Sequence, residues 1–513
     1  MNDSMASSGS ENGPIHNVAT LIRRRAEEFP NLQIGTVNGT AALSDIYRLA
    51  GSAAEAFRRA GLKPGQCAAM IGETSPSYMI TWIALQLAGV QAAPLNPNYP
   101  VELLARMVVD LEADAIVWTG RAPDPEIPSS CNFDSSDLAE GVLKDNAGNR
   151  LPLPEPPEVL PGLLADQKSI CSYMHTSGTT GRPKFCALSH EYFLRLGRFI
   201  ADEFGMTPND TVFAPMPMFH LNPLGYGLVG SLTGGSSILG WEKFSARNFW
   251  KSVKDAGITI LMLHIPPVEI LKKATAAEDA AGHKVRISFC GDPDFLRKFG
   301  VPQGVTCYGS TEGGGMTHTW HARADDTRRI PEGEIRYAGR CRYDVDWKLG
   351  PDNEIFLREK GGSALLSGYR RNGVIESPFD AEGWFHTGDL GRADEWGNLI
   401  FVERAAESIR VKGEYVPVDY IEKRLVAVPG LDEFAIWRRN ADVGGHEVVI
   451  YTTAENAPAS AIMEAVRDLP IFMKPVAVVS IGSMPRDTGV GKVQRRLLEQ
   501  QPPRAVIELS HSS

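Results

Sequence analysis

From residue 16 to about 325, segments with apolar positions at helical spacing alternate with short runs of apolar and β-branched residues. ALSDIYRLAGSAAEAFRRAG (42–61) reads as an amphipathic helix and is followed by the strand-like QCAAMIG (66–72). VELLARMVVDLEAD (101–114) repeats the device ahead of AIVWTG (115–120). Such alternation predicts layers of helices on buried, mainly parallel strands. Residues 79–95 are the most apolar stretch; Thr81, Gln86 and Gln91 interrupt it and Pro94 closes it, so a core helix is predicted rather than a membrane span. The proline-rich 151–162 reads as a connector. Over 335–404 the texture changes to short strands and turns, as in NEIFLRE and GWFHTGDLGRADEWGNLIFV, which predicts a small β-rich subdomain. Beyond Arg404 the pattern returns to a compact α/β unit.

The division expected is therefore a tail over 1–14, a large N-terminal domain over 15–404 containing the 335–404 subdomain, and a small α+β C-terminal domain over 405–513. Residues 1–14 (MNDSMASSGSENGP) are small and polar, unlike a signal peptide. At 513 residues, 43% hydrophobic and 22% charged, the chain has the composition of an ordinary soluble protein. A net charge of −10 argues against nucleic-acid binding, which needs clustered Lys and Arg. The seven cysteines are scattered, odd in number and never in a C-x-x-C pair, which fits free thiols in a reducing cytoplasm. Cys186 has no fixed basic neighbour in sequence and reads as structural.

Candidate chemistry concentrates in YMHTSGTTGRPKFCALSH (173–190). Thr176, Ser177, Thr179 and Thr180 supply hydroxyls, Gly178 and Gly181 allow close backbone approach to an anion, and Lys184 adds a positive charge. That set suits a nucleotide's phosphates. It is not a Walker A loop, because the glycines are too close together and Lys184 follows Pro183. Alone, the cluster would read as a polar turn between strands.

Further motifs follow in order: APMPMFHLN (214–222), YGSTE (308–312), GWFHTGDLG (383–391), ERAAESIRVKGEYVP (403–417) and PRDTGVGKVQRR (485–496). With the threonine-rich loop they make the chain similar, from about residue 15 to 500, to the adenylate-forming superfamily, and within it to the acyl-CoA synthetase branch. The resemblance implies a large domain, a small rotating C-terminal domain and a hinge near Arg404. It also implies a two-step reaction in which a carboxylate attacks the α-phosphate of ATP and CoA then displaces AMP. ATP (leaving as AMP), Mg²⁺ and CoA are the implied cofactors.

Residue roles carry over on the same footing. Glu312 and Thr176 would hold Mg²⁺; alone, Thr311 and Glu312 would read as a helix cap. Tyr308 would stack on adenine with Gly309, Ser310, Thr311, Gly291 and Asp292 beside the nucleotide. Asp389 would accept from the ribose hydroxyls, joined by Arg404; its plain reading is an Asx-turn. Lys492, on a glycine-flanked turn, would bridge the substrate carboxylate and the α-phosphate; otherwise it is a solvated surface lysine. His220 would stand at the carboxylate end of the acyl pocket, where a satisfied core histidine is the plainer reading. Lys412 and Gly413 match the stretch lining the pantetheine channel, and Lys412 or Arg410 would meet CoA phosphates.

Amino-acid-activating members place an aspartate after the phenylalanine of the second motif. Here Phe219-His220-Leu221-Asn222 has none, so an acid without an α-amino group is implied. Three strings depart from the family pattern. The hinge reads Glu403-Arg404-Ala405-Ala406-Glu407, lacking the usual charged hinge residue, and the adenine-side strand ends in Cys290-Gly291-Asp292-Pro293. Gly313-Gly314-Gly315 follows Glu312 where a pocket-filling side chain is usual, which predicts a roomy site for a bulky or hydrophobic acid. The altered hinge keeps open an enzyme that only forms thioester from a ready-made acyl-adenylate. No carrier domain or serine attachment motif is visible, so free CoA is favoured over a separate carrier protein; a homodimer is left open.

Overall fold

The structure is a computed structural model that describes residues 14–121, 124–127, 129, 131–177, 183–323, 337–404, 409–412, 414–431, 433–441, 445–486 and 493–510. Among the described residues two large sheets organise the fold, one of ten strands and one of thirteen. The ten-stranded sheet is built around Gln91–Leu95, Cys67–Gly72 and Ala115–Thr119, which pair in parallel. All of Cys67–Gly72 and Ala115–Thr119 is buried, as strands covered by helices on both faces must be. In the thirteen-stranded sheet Ser237–Gly240, Thr211–Ala214, Ile260–Met262, Ile287–Phe289 and Gln303–Ser310 also run parallel in succession. At Gly315–Arg323 the direction reverses.

Residues 79–95 are not one helix. Ser75 caps the helix Pro76–Ala88 by accepting from the Tyr78 N–H, and Pro76 occupies its first turn. Gly89 then adopts φ 72° and ends it. Gln91–Leu95 continues as a strand of the ten-stranded sheet. A mostly apolar run conceals this junction, because both elements are buried and Gly89 marks the change of period.

The β-rich 335–404 segment is joined to both large sheets. Tyr337–Cys341 pairs with Gly315–Arg323, and the hairpin Phe385–Ala393/Leu399–Arg404 carries the same sheet outward. Gly368–Arg371 crosses to the other sheet and pairs with Pro183–Ser189. Each piece occupies an edge that would otherwise leave backbone groups unpaired.

The C-terminal unit is a four-stranded sheet of Phe434–Asn440, His446–Thr452, Ala477–Ile481 and Pro503–Glu508 with the helices Val418–Leu425 and Ala459–Ala465. One face has its own core of Ala435, Trp437, Val449, Tyr451, Ile481 and Leu498. The other shares a core with the ten-stranded sheet, where Tyr99 meets Phe472 at 6.1 Å between ring centres. Among the described residues no helix is long and apolar enough to cross a membrane.

Candidate active site

Thr176, on strand Ile170–Ser177 of one sheet, and Glu312, just past strand Gln303–Ser310 of the other, meet where the sheets converge. The Thr176 hydroxyl donates to Glu312 Oε1 at 2.8 Å, and both residues are buried. Cys186 lies against the pair, its Sγ 3.8 Å from Thr176 Oγ1. Burial pushes that thiol well above its ordinary value, and the Glu312 charge pushes it further, so it stays protonated and structural. One carboxylate and one hydroxyl make an incomplete cage; among the described residues no cluster of three or more His, Cys, Asp or Glu could hold a metal unaided. The donor set fits Mg²⁺ that arrives on a nucleotide, since that ion keeps water and phosphate ligands and needs only one or two protein oxygens.

Gly178, Thr179, Thr180 and Gly181 lie outside the described residues, as does the Ser177 side chain. Lys184 is opposite Thr176 in the strand pairing and places its ammonium 4.8 Å over the Tyr369 ring. A cation over an aromatic face is attracted by the ring without a carboxylate partner.

Tyr308 stacks on Phe401 at 5.7 Å, and its hydroxyl donates to Asp389 Oδ2 at 2.8 Å. Asp389 lies opposite Arg404 in the hairpin register, which puts the ribose candidates side by side. The Asp292 carboxylate is engaged structurally: it caps helix Pro293–Phe299 through the Phe295 N–H and pairs with Lys272 at 3.0 Å. Gly291 marks a close approach, since a Cβ there would stand 3.1 Å from the Gly304 carbonyl carbon. Ser310 closes the following turn by accepting from the Gly313 N–H at 3.0 Å, and the Thr311 carbonyl accepts from the Tyr192 hydroxyl at 2.9 Å.

The antiparallel register shifts between Tyr308, opposite His318, and Gly309, opposite Met316. A Cβ on Gly309 would lie 1.8 Å from the Gly315 carbonyl oxygen, and backbone cannot rotate away as a side chain can. Gly309→Ala should therefore destabilise by about 1–3 kcal/mol, the usual range of overpacking. A lowered thermal midpoint, with AMP no longer raising it, is the expected result.

The triglycine does not open the site as the sequence suggested. The space of a Gly313 side chain is taken by Leu357 Cδ1 at 2.8 Å, that of Gly314 by the Ala364 carbonyl at 2.5 Å and that of Gly315 by Leu196 at 2.9 Å with Tyr226 at 3.1 Å. Gly314 and Gly315 also have φ of 91° and 77°, which a residue with a side chain adopts only under strain. These residues are glycine because neighbours fill their volume, so the argument for a bulky acid from them falls.

His220 is reached from the C-terminal unit. Glu414 Oε1 stands 3.4 Å from His220 Nε2, and Asn96 donates to Glu414 Oε2 at 2.8 Å. Burial raises the Glu414 pKa, but His220, His175 and Arg410 outweigh it and hold the carboxyl below its ordinary value. Arg410 donates its N–H to His446, and Lys412 makes the turn between the short strands Arg410–Val411 and Glu414–Tyr415 with φ 52°. Gly413 and Lys492 lie outside the described residues, as do Ala405, Ala406 and Glu407 of the hinge string. Glu414 and Asn96 were not among the candidates read from sequence. Glu414 lies inside the quoted KGEYVP string, yet nothing local in that string announces a partner far back in the chain.

Several histidines here are buried neutral. His175 gives its Nδ1 proton to the Pro94 carbonyl at 3.2 Å, and burial, with His220 adding, pushes it down to about 4. Burial pushes His264 down to about 3, with Arg410 and His220 adding. A group whose folded pKa is depressed binds its proton more readily when unfolded, so stability falls as pH drops below the unfolded value of about 6.5. The thermal midpoint should decline steadily from about pH 6.5 toward 4.5, and His264→Phe should flatten part of that slope.

The parts thus assembled are a hydroxyl–carboxylate pair that bridges the two sheets and an aromatic ring tied to a buried acid. The sequence profile of the family described as AMP-binding enzyme matches residues 22–353. The chain belongs to that family, within the adenylate-forming superfamily and on its acyl-CoA synthetase branch. Sulfoacetate–CoA ligase of Cupriavidus necator is 29% identical over 517 residues, 93% of this chain and 96% of that one. Human long-chain fatty acid transport protein 3 is 27% identical over 427 residues, 75% of this chain but only 62% of its own length. Among solved structures, a double mutant of Bacillus subtilis o-succinylbenzoate CoA synthetase bound to a product analogue superposes with a TM-score of 0.80 at 19% identity, covering 96% of this chain and 99% of that one. The same synthetase with its acyl-adenylate intermediate gives 0.65, covering 93% and 97%.

Proposed function

We propose that this enzyme joins a carboxylic acid lacking an α-amino group to CoA through an acyl-adenylate. In the first step a carboxylate oxygen attacks the α-phosphorus of ATP; the bond to the β-phosphate oxygen breaks and pyrophosphate leaves. In the second, the CoA sulfur attacks the acyl carbon, the thiol gives up its proton, and AMP departs with the former carboxylate oxygen. The observation that carries this reading is the Thr176–Glu312 pair bridging the two sheets. Mg²⁺ brought by ATP would be held there and would offset charge on the phosphates. Thr176, Ser177, Gly178, Thr179, Thr180, Gly181 and Lys184 receive those phosphates, Tyr308 and Gly309 flank the adenine, and Asp389 with Arg404 takes the ribose. Lys492 aligns the attacking carboxylate with the α-phosphate. His220 sits at the acyl carboxylate, and Arg410, Lys412 and Gly413 line the path of the thiol.

The arrangement of the C-terminal unit supports the second half-reaction in particular. Superposition is closer to the synthetase carrying a CoA product analogue than to the same enzyme carrying the acyl-adenylate. In this arrangement Glu414 Oε1 stands 3.4 Å from His220 Nε2. Free CoA is the acceptor, rather than a carrier protein, and the absence of an acid directly after Phe219, where His220 stands, leaves no partner for an α-ammonium.

The test separates the half-reactions. A panel of acids is screened by thermal shift with ATP and with AMP, since a ligand that binds the folded state raises the midpoint by mass action. Stabilising acids are then assayed for pyrophosphate release with ATP and for thioester formation with CoA. Both should proceed. Thioester from synthetic acyl-adenylate with no pyrophosphate release from any acid would leave an enzyme of the second step alone. Transfer to a carrier protein but not to CoA would reassign the acceptor.

A further inference from the structure

The Arg342 side chain is 0% exposed and its partner Asp344 2%. Burying such a pair strips both charges of water, and an apolar replacement is often as stable, so stability does not account for it. Its geometry points elsewhere. Nε and Nη2 grip the two Asp344 oxygens at 2.5 and 2.8 Å, which fixes the plane of the guanidinium. Nη1 is thereby aimed at the Gly314 carbonyl at 2.8 Å, with the Met316 carbonyl at 3.4 Å. Asp344 is itself approached by Arg195 Nη1 at 3.5 Å, and Arg195 Nε donates to Glu191 at 2.9 Å. Those residues belong to helix His190–Glu203, whose Tyr192 holds the Thr311 carbonyl.

Glu312 is followed directly by the triglycine, the type of backbone with most freedom to lose. Its own carbonyl accepts from the Leu366 N–H at 3.1 Å. Beyond it, Arg342 is the charged group that grips the segment. We infer that Arg342, oriented by Asp344, is a positioning residue that clamps residues 314–316 and so sets the angle at which the Glu312 carboxylate meets Thr176 and nucleotide-borne Mg²⁺. This rests on the proposed role of Glu312.

The test uses Arg342→Lys, which keeps the charge but loses the fork, and Arg342→Met combined with Asp344→Asn, which removes the buried pair together. Glu312→Gln runs beside them. Binding of ATP with Mg²⁺, and of AMP in EDTA, is measured by calorimetry on each full-length protein. Glu312→Gln should weaken Mg²⁺–ATP and spare AMP. Both Arg342 variants should weaken Mg²⁺–ATP by about tenfold, the lower end of what an outer-shell partner of a metal ligand contributes, and also spare AMP. Equal weakening of both ligands, or of neither, in the Arg342 variants overturns the positioning role while Glu312→Gln leaves the site assignment standing. If Glu312→Gln itself spares Mg²⁺–ATP, the role of Glu312 and the inference fall together. Should the double variant not fold, Arg342→Lys decides by the same comparison.

Discussion

Lys492→Ala should reduce acyl-adenylate formation by roughly 10²–10³, the scale on which one preorganised charge contact to a transition state acts. Thioester formation from supplied acyl-adenylate should survive almost intact. The asymmetry follows from where charge develops: the attack on phosphorus crowds the substrate carboxylate and phosphate oxygens together, whereas thiol attack on the acyl carbon does not. Lys492 is outside the described residues, but the described residues on either side of it are joined by the bridge between Arg486 and Val493 and by the Gln494 N–H donating to the Pro485 carbonyl at 2.8 Å. Arg486 is anchored independently on Glu433 at 2.7 Å. Removing the Lys492 side chain should therefore leave the C-terminal sheet undisturbed. Pyrophosphate release and CoA-ester formation, followed separately, give the answer; equal loss of both would mean a structural lysine.

Asp389→Ala should weaken AMP and ATP alike by about 1.5–3 kcal/mol, the worth of hydrogen bonds to a charged acceptor, or roughly 10- to 150-fold in Kd. Affinity for an acid alone should not change. The buried Tyr308 hydroxyl now donates to Asp389, so the substitution also strips that phenol of its acceptor. The control is Tyr308→Phe, which removes the phenol's demand while leaving the carboxylate for the ribose. If 2′,3′-dideoxy-ATP binds the parent as well as ATP does, the acid does not read the ribose.

Candidates for the nucleotide side of this site could be proposed from sequence because they fall in short contiguous strings. Thr176 and Lys184, or Tyr308 and Glu312, come with their neighbours and need no long-range knowledge to be proposed. Layered α/β architecture was legible for the same reason: buried parallel strands and amphipathic helices each leave a local period. What escaped depends on packing between distant segments. Glu414 reaching His220 and Asn96 joins the last part of the chain to the first, and neither end signals the other. The triglycine was misread because a sequence shows that side chains are missing but not which neighbours, here Leu196, Tyr226, Leu357 and Ala364, take up the space. Gly89 was the one visible sign that residues 79–95 change from helix to strand.

The Thr176–Glu312 contact unites residues 136 positions apart in sequence, each anchored in a different large sheet. A ligand seated on both therefore acts as a non-covalent staple across a long loop, and such closures take more freedom from an opened chain the longer the loop they span. Nucleotide occupancy would then be felt well away from the phosphates, as mechanical resistance of the whole seam between the sheets. The loaded protein should open there last, and the empty one first.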